Sequence, residues 1–433
     1  MKNTFKILVL VLSSIVCGAF VCGCNESYIS SDYVEPSKDI PYDPVLEYVP
    51  IVMSMTDPAY VTLSRGIGPI AADRLTSKQD AVFYVYSFLT NNYAYDGEVN
   101  YQKPYVAETE LPEGVPMHCL IDDPATGKGA PAKLMDNDVL DFVNINIPYY
   151  YSQRFQEHKY NFFAYHIDNA EIKGDVMREK DKIRMDIKID GTQDIITSNA
   201  VVKDKQLAEI DANNDKWFLA NVLNGELLFS TLTGHRFIIP VFEAKHHMAR
   251  FVFNLIGEDA LSDKIYIQDI YVLAQRDWHL TVASEDATEL GMVMAGDKEK
   301  LEELHLCDEV GVVDGSKTNL EQYTYNVTQN ELLSNLGLGL LLPPRDSYDL
   351  YIKCAYQAPT GREYRYIAHY ALSNKSVAED GSFVNKPFEA GRQYNVTMHV
   401  YGYQQIKLSM DGLDWGTPID IFIDEDDILD FIE

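Results

Sequence analysis

Apolar and polar residues alternate along several stretches of this chain, and the alternation predicts antiparallel β-sheets. The clearest stretches are 182–189, 348–356, 394–400 and 405–410. A period of two with one polar row is typical of a strand that has one face in water. Residues 81–89 are almost entirely apolar, which predicts a strand inside a packed core. Tight turns are predicted at the Asp-Gly pairs 190–191, 380–381 and 411–412.

Helical signals are few and short. Residues 215–223, closed by Gly225, have the spacing and end signal of a helix, and 297–306 is a second candidate. Thr328 and Glu331 form a capping-box pattern ahead of a leucine run, which predicts a third helix start.

These patterns together predict an all-β protein with two β-sandwich domains in series and a few short helices. Strand patterning lapses at residues 276–290. We therefore expect an N-terminal sandwich over residues 45–280 and a C-terminal sandwich over residues 281–433.

The N-terminal residues have the layout of an export signal. Lys2 and Lys6 precede an apolar run over residues 7–20, and the run ends at Val21-Cys22-Gly23-Cys24. A small residue before a cysteine at this place is a lipobox, so we predict a signal peptide over 1–23 and lipidation at Cys24. Two or three acyl chains would anchor the protein stably. The proline-containing segment 24–44 is expected to be a tether.

The charge balance excludes some partners. The net charge is −30, and removal of two signal-peptide lysines takes it to about −32. Nucleic-acid binding needs a basic surface, so we expect no nucleic-acid partner.

After Cys24 only Cys119, Cys307 and Cys354 remain, and an odd, widely spaced set predicts no disulfide framework.

No motif for catalysis or metal binding stands out. His246 and His247 are adjacent, and adjacent strand residues point to opposite faces, so they are not expected to share a metal. Residues 211, 213 and 215 match the first positions of a calcium loop, but Lys216 and Val222 replace its glycine and its final acid. A helix cap at residue 215 is the preferred interpretation. We expect no enzyme, no metal and no cofactor.

Specific stretches resemble a known family. The chain is similar to the fimbrillins of the Bacteroidales, the type V pilin superfamily. The resemblance is carried by the lipobox, 62–70 with 82–88, 160–165, 247–253, 342–344, 388–396 and Trp415-Gly416. The stretch 247–253 departs most, because Arg250 follows Ala249 where the family has lysine.

The resemblance implies two transthyretin-like sandwiches, the first of which would include the Arg250 strand and the strand at 265–273. It also implies that an arginine-specific protease removes the first strand, here predicted over 45–56. Arg65, followed by Gly66, would be the cleavage site, with Arg74 in reserve. Exposed loops rich in small residues are where proteolysis occurs. An ordinary surface arginine is the alternative interpretation of Arg65.

The resemblance further implies that the C-terminus donates a strand to another subunit. Within residues 417–427, Ile419, Ile421 and Ile423 form one apolar row. The alternative is a last strand folded back into its own sandwich.

The function implied is a shaft or tip subunit of a cell-surface fimbria, which is an outer-membrane lipoprotein before processing and polymerises with other pilin subunits. One alternative is a pilus anchor that keeps its lipid. The other is a glycan-binding surface lipoprotein, which clustered tryptophans would favour. The three tryptophans, Trp217, Trp278 and Trp415, are scattered.

We expect Cys24→Ala to abolish lipidation and to mislocalise the protein, because the acyl chains would attach to that thiol. Metabolic labelling with a fatty-acid analogue measures this. Cys22→Ala is the matched control and should keep its label. Labelled Cys24→Ala protein would contradict the lipobox.

Overall fold

The computed structural model shows a chain built mostly of β-strands with few helices, which confirms the all-β prediction. The structure describes residues 49–56, 82–90, 101–115, 117–135, 138–143, 149–154, 156, 158–168, 170–213, 216–223, 228–296, 300–306, 325–377, 383–402, 405–414, 417–421 and 428–432. The predicted signal, Cys24 and the tether lie outside these residues.

The strands have the following bounds in chain order. They are β1 Met53–Thr56, β2 Val82–Leu89, β3 Cys119–Ile121, β4 Ala130–Leu134, β5 Val139–Phe142, β6 Tyr160–Ile167, β7 Glu171–Arg178, β8 Lys182–Lys188, β9 Ile195–Val201, β10 Val241–Glu243, β11 Lys245–His246, β12 Ala249–Gly257, β13 Ile265–Ala274, β14 Asp277–Ser284, β15 Gly291–Met294, β16 Glu302–His305, β17 Tyr325–Asn326, β18 Leu332–Leu342, β19 Ser347–Gln357, β20 Glu363–Val377, β21 Phe383–Lys386, β22 Arg392–Gly402, β23 Gln405–Asp414, β24 Thr417–Ile421 and β25 Ile428–Ile432.

Helices are short. Among the described residues the α-helices are α1 Asp204–Ala212, α2 Lys216–Leu223 and α3 Thr231–Gly234, and 3-10 turns occupy Glu108–Glu110, Ser262–Lys264 and Ala287–Glu289. The helix predicted at 215–223 is confirmed as α2. Among the described residues no helix is long and apolar enough to cross a bilayer.

The first sheet closes into a barrel, here called the barrel sheet. Its strand order is β10-β1-β5-β4-β2-β6-β9, and β9 also pairs with β10. Strand β2 is apolar on both faces because each face is buried. Phe83 and Val85 lie in the barrel core, whereas Tyr86 and Phe88 face a second sheet.

The second sheet has the order β15-β14-β8-β7 and packs on the outside of the barrel sheet. The alternation predicted in 182–189 is confirmed here, since Ile183, Met185 and Ile187 are all fully buried. They contact the aromatic row of β2 and β6 in one core.

The two remaining sheets enclose the largest core. One has the order β18-β12-β22-β23-β24, and the other has the order β16-β13-β19-β20-β21, with β17 on β13 and β25 on β20. Apolar residues of both sheets share one core.

Strand pairing crosses the domain boundary expected near residue 280. β12 pairs in parallel with β22, from Arg250 beside Gln393 to Gly257 beside Val400, and β13 pairs with β19. Both strands, which the resemblance places in the first sandwich, thus pair with strands from beyond residue 280. β14 returns to β8 in the second sheet. These pairings join residues 78 to 143 positions apart, which local pattern does not reveal.

Two predicted helices are strands. The leucine run after Glu331 forms β18, which pairs with β12 from Leu332 beside Ile256 to Leu342 beside Ala249. Gly337 and Gly339 have positive φ within it, which an α-helix does not permit. Residues 302–305 form β16, whose Leu304 is buried against β13.

Arg178 ties the second sheet to the barrel sheet. Its guanidinium donates to the Asp122 carboxylate and to the carbonyl oxygens of Tyr101 (3.2 Å) and Gly127 (3.0 Å). It also lies over the Tyr86 ring. Burial raises the pKa of Asp122, although Arg178 acts in the opposite direction.

We expect Arg178→Ala to lower the free energy of unfolding by about 3–5 kcal/mol, because the Asp122 carboxylate would stay buried without its partner. Arg365→Ala is the control, since its pair with Glu363 is exposed and should contribute less than about 1 kcal/mol. Denaturant unfolding compares the two. Equal effects would show that the Arg178 contacts carry no special weight.

Candidate functional site

The site begins with residues 49–56, here called the first strand, which contain β1. β1 pairs in parallel with β10, with Ser54 beside Val241, and antiparallel with β5, with Met53 beside Leu140. It therefore fills the position between the two strands that close the barrel sheet. Of the strand predicted over 45–56, the last four residues form β1.

Backbone hydrogen bonds hold the first strand along both sides. The Ile51 N–H donates to the Tyr149 carbonyl, and the Tyr151 N–H donates to the Val49 carbonyl, both at 3.0 Å. Further along, the Ser54 N–H donates to the carbonyl of Pro240 (3.0 Å). The Met55 N–H donates to the carbonyl of Asp138 (2.9 Å) on the opposite side.

Side chains of the first strand alternate between core and surface. Val49, Ile51, Met53 and Met55 are buried in the barrel core, whereas Val52 is 40% exposed. Full burial of each such side chain contributes about 1.5–3 kcal/mol. The fit is tight, because a Cβ at Gly234 of α3 would lie 2.7 Å from Val49 Cγ1.

The first strand is joined to β2 through residues 57–81. The next described residue after Thr56 is Val82, which begins β2. Arg65, Gly66 and Arg74 lie between them, outside the described residues. Hydrolysis after Arg65 would therefore cut the covalent link and leave only the noncovalent contacts.

The C-terminal segment is paired within its own chain. β24 pairs antiparallel with β23, with Gly412 beside Ile419, and β25 pairs with β20. Ile419 and Ile421 thus belong to β24, which is the last strand of its sheet in the described part of the chain. Ile423 lies outside the described residues. This pairing is the folded-back alternative, and donation to another copy stays a prediction.

The histidine pair does not form a shared site. His246 Nδ1 lies 2.8 Å from Asp194 Oδ2, whereas His247 Nε2 lies 2.7 Å from Thr197 Oγ1. Burial lowers the pKa of His247 to about 4, so its ring is neutral at pH 7. Within the described ranges no group of three or more His, Cys, Asp or Glu side chains is placed to hold a metal. Asp211 lies in α1 and Asn213 directly follows it, and residue 215 is not described.

Sequence reasoning missed a buried ion pair beside these histidines. His166 Nδ1 donates to the Val82 carbonyl at 2.8 Å, and Nε2 lies 2.6 Å from Asp168 Oδ1. Burial acts against the cation, but Asp168 outweighs it and raises the pKa of His166. The other oxygen of Asp168 accepts from the Asp194 N–H. The His166-x-Asp168 spacing at a strand end was the only signal in the sequence.

No protein-family model matches the chain, and no curated protein matches it. Among solved structures, it is similar to two proteins assigned to cell adhesion. For the Bacteroides uniformis protein, identity is 10% over 85% of this chain and 98% of that one, with a TM-score of 0.38. For the Bacteroides ovatus protein, identity is 9% over 88% of this chain and 100% of that one, with a TM-score of 0.41. The chain is also similar to the fimbrial anchor protein Mfa2 of Porphyromonas gingivalis, with 10% identity over 84% of this chain and 97% of that one and a TM-score of 0.31. Likeness at this level carries no weight for what this chain does.

We expect Met53→Ala to lower the free energy of unfolding by about 2–5 kcal/mol, because it leaves a cavity in the barrel core. Val52→Ala, one residue away on the exposed side, should change it by no more than about 0.5 kcal/mol. Hydrogen exchange at the Met55 amide should also accelerate in Met53→Ala only. Equal behaviour of the two variants would contradict the seating of the first strand.

Proposed function

We propose that the chain is a structural subunit of a cell-surface fimbria, in the shaft or at the tip. It assembles when its first strand is removed by an arginine-specific protease and replaced by the C-terminal strand of another subunit. The single observation that carries the proposal is the first strand itself, which completes the barrel sheet and is joined to β2 through the segment that contains Arg65.

Loss of the first strand would open a groove in the barrel sheet. Its walls would be β10 and β5, whose Phe242 and Leu140 are buried while the strand is in place. Both walls would also lose backbone partners, as at the Pro240 and Asp138 carbonyls. An open edge beside an apolar groove favours β-augmentation by another strand.

The C-terminal segment supplies a suitable donor. Its apolar row, Ile419, Ile421 and Ile423, has the same period of two as the buried row of the first strand. In the part of the chain that the structure describes, β24 is the edge strand of its sheet and pairs with β23. In the groove it would have a neighbour on each side.

The proposal includes the export route and the finer fold. The precursor is a lipoprotein anchored in the outer membrane through Cys24, and processing at Arg65 releases it from that anchor. The partners are other pilin subunits and the protease. The four sheets are proposed to correspond to two transthyretin-like sandwiches.

The glycan-binding alternative finds no support at Trp278 or at the tyrosine row of β13 and β19. Trp278 is buried, and its Nε1 donates to the Gln275 carbonyl. A row of rings does cross the outer face of β13 and β19, but Tyr271 and Tyr351 stack against each other at 4.8 Å. Rings that stack on each other do not offer these faces to a sugar.

We expect limited digestion of the mature chain with an arginine-specific protease to produce ladders that resist sodium dodecyl sulfate. Arg65→Ala should stay monomeric, because its first strand stays attached. Arg74→Ala is the matched control and should form ladders. N-terminal sequencing of the polymerised form should read from Gly66. Ladders from Arg65→Ala would contradict the site.

Deletion of residues 417–433 provides the complementary control. It should abolish ladders while the thermal transition of the monomer persists. A deletion variant that does not fold would show that the segment is an internal strand. We would then assign the subunit to an anchor or tip position of the fimbria instead of the shaft.

A further inference from the structure

Phe237 has a backbone conformation that its residue type disfavours. Four non-glycine residues have positive φ in the part of the chain that the structure describes, and three of them, Asp138, Asn330 and Asn335, are of the types that tolerate it. Phe237, at φ 57°, is the exception. The left-handed region costs a residue with a bulky side chain about 1–2 kcal/mol.

The turn after α3 explains why this conformation is required. The Phe237 N–H donates to the Gly234 carbonyl at 3.0 Å, and the Ile238 N–H donates to the Thr233 carbonyl at 3.1 Å. These two bonds form a Schellman motif, in which glycine or asparagine usually occupies the position of Phe237. The backbone therefore gains nothing from phenylalanine at this position.

The Phe237 side chain also contributes little to the barrel core. The Phe237 side chain is 54% exposed, whereas the next residue, Ile238, is buried in the barrel core. A large apolar side chain that is both exposed and conformationally disfavoured points to an intermolecular contact.

Phe237 belongs to the turn that borders the first strand. Gly234, three residues earlier, abuts Val49, and Pro240, three residues later, accepts the Ser54 N–H. Exposed apolar residues continue along this border, since Val52 is 40% exposed and Tyr150, which bridges to Pro50, is 36% exposed. This turn therefore lies beside the groove that the first strand fills.

We propose that Phe237 is the aromatic contact that receives the C-terminal segment, residues 417–433, of a second copy. The inference rests on the proposed function, because it assigns a residue to the acceptor side of the exchange. Phe237 acts as a positioning residue that selects and orients the incoming strand.

Charge favours this occupant. Residues 417–433 contain seven acidic residues and no lysine or arginine. Phe237 follows Arg236, whose guanidinium stacks 3.8 Å from the Phe218 ring of α2. A cation held beside the aromatic contact attracts an acidic segment.

The test compares Phe237→Gly and Phe237→Asn with the wild-type mature chain. Both substitutions fit the left-handed turn, so the thermal midpoint should be equal to or above that of wild type. Ladder formation after protease treatment should be about tenfold slower or more, as expected for an aromatic anchor. Phe237→Tyr should retain the wild-type rate.

Leu261→Asn is the matched control, because Leu261 is 59% exposed but has an ordinary φ of −80°. It should form ladders at the wild-type rate. Wild-type rates in both Phe237→Gly and Phe237→Asn would overturn the proposal. A lowered midpoint in both would also overturn it, since the side chain would then serve the fold.

A second measurement separates this inference from the proposed function. A labelled peptide of residues 417–433 is added to the protease-treated mature chain, and binding is followed by fluorescence anisotropy. About tenfold weaker binding to Phe237→Gly supports the inference even if wild-type protein forms no ladders, a result that would sink only the proposed function. Absence of binding to wild type, or equal binding to both, overturns the inference.

Discussion

Closure of the barrel sheet is the constraint on which the rest of the N-terminal part depends. β10 has three residues and β1 has four, so neither could hold a sheet edge alone. Each is stabilised because it lies between two neighbours, β1 between β10 and β5, and β10 between β9 and β1. Removal of either strand would leave the other with one neighbour and would open the barrel core to water.

The same part of the chain connects the barrel to the C-terminal sheets. β10, β11 and β12 follow one another with only short breaks between residues 241 and 257. The middle of this run is fixed by the His246 contact with Asp194 and by the His247 N–H, which donates to the Ile195 carbonyl at 2.9 Å. Burial alone would raise the pKa of Asp194, but His246 keeps it below its ordinary value. The contact between His246 and Asp194 gives both buried side chains a polar partner at this bend.

The sequence predicted features that depend on local pattern. Ile183, Met185 and Ile187 alternate with polar residues and are buried as expected, and α2 occupies the predicted range. The helix predicted from the capping-box pattern at Thr328 and Glu331 is wrong. The leucines that follow form a strand that pairs with β12, because tertiary pairing overrides helix propensity. The placement of β12 and β13 could not be predicted, since their partners lie far along the chain. Phe237 escaped notice because phenylalanine gives no signal of a helix C-cap.

The energetics of the first strand constrain how an exchange could proceed. Val49, Ile51, Met53 and Met55 are all buried, and at about 1.5–3 kcal/mol each they contribute on the order of 6–12 kcal/mol. That range is similar to the whole stability of an ordinary domain, about 5–15 kcal/mol. Hydrolysis of a peptide bond after Arg65 removes none of these contacts. A cut strand would therefore stay in its groove for a long time unless a competing strand replaced its contacts stepwise, which makes the border of the groove, where that replacement must start, the part that controls the rate.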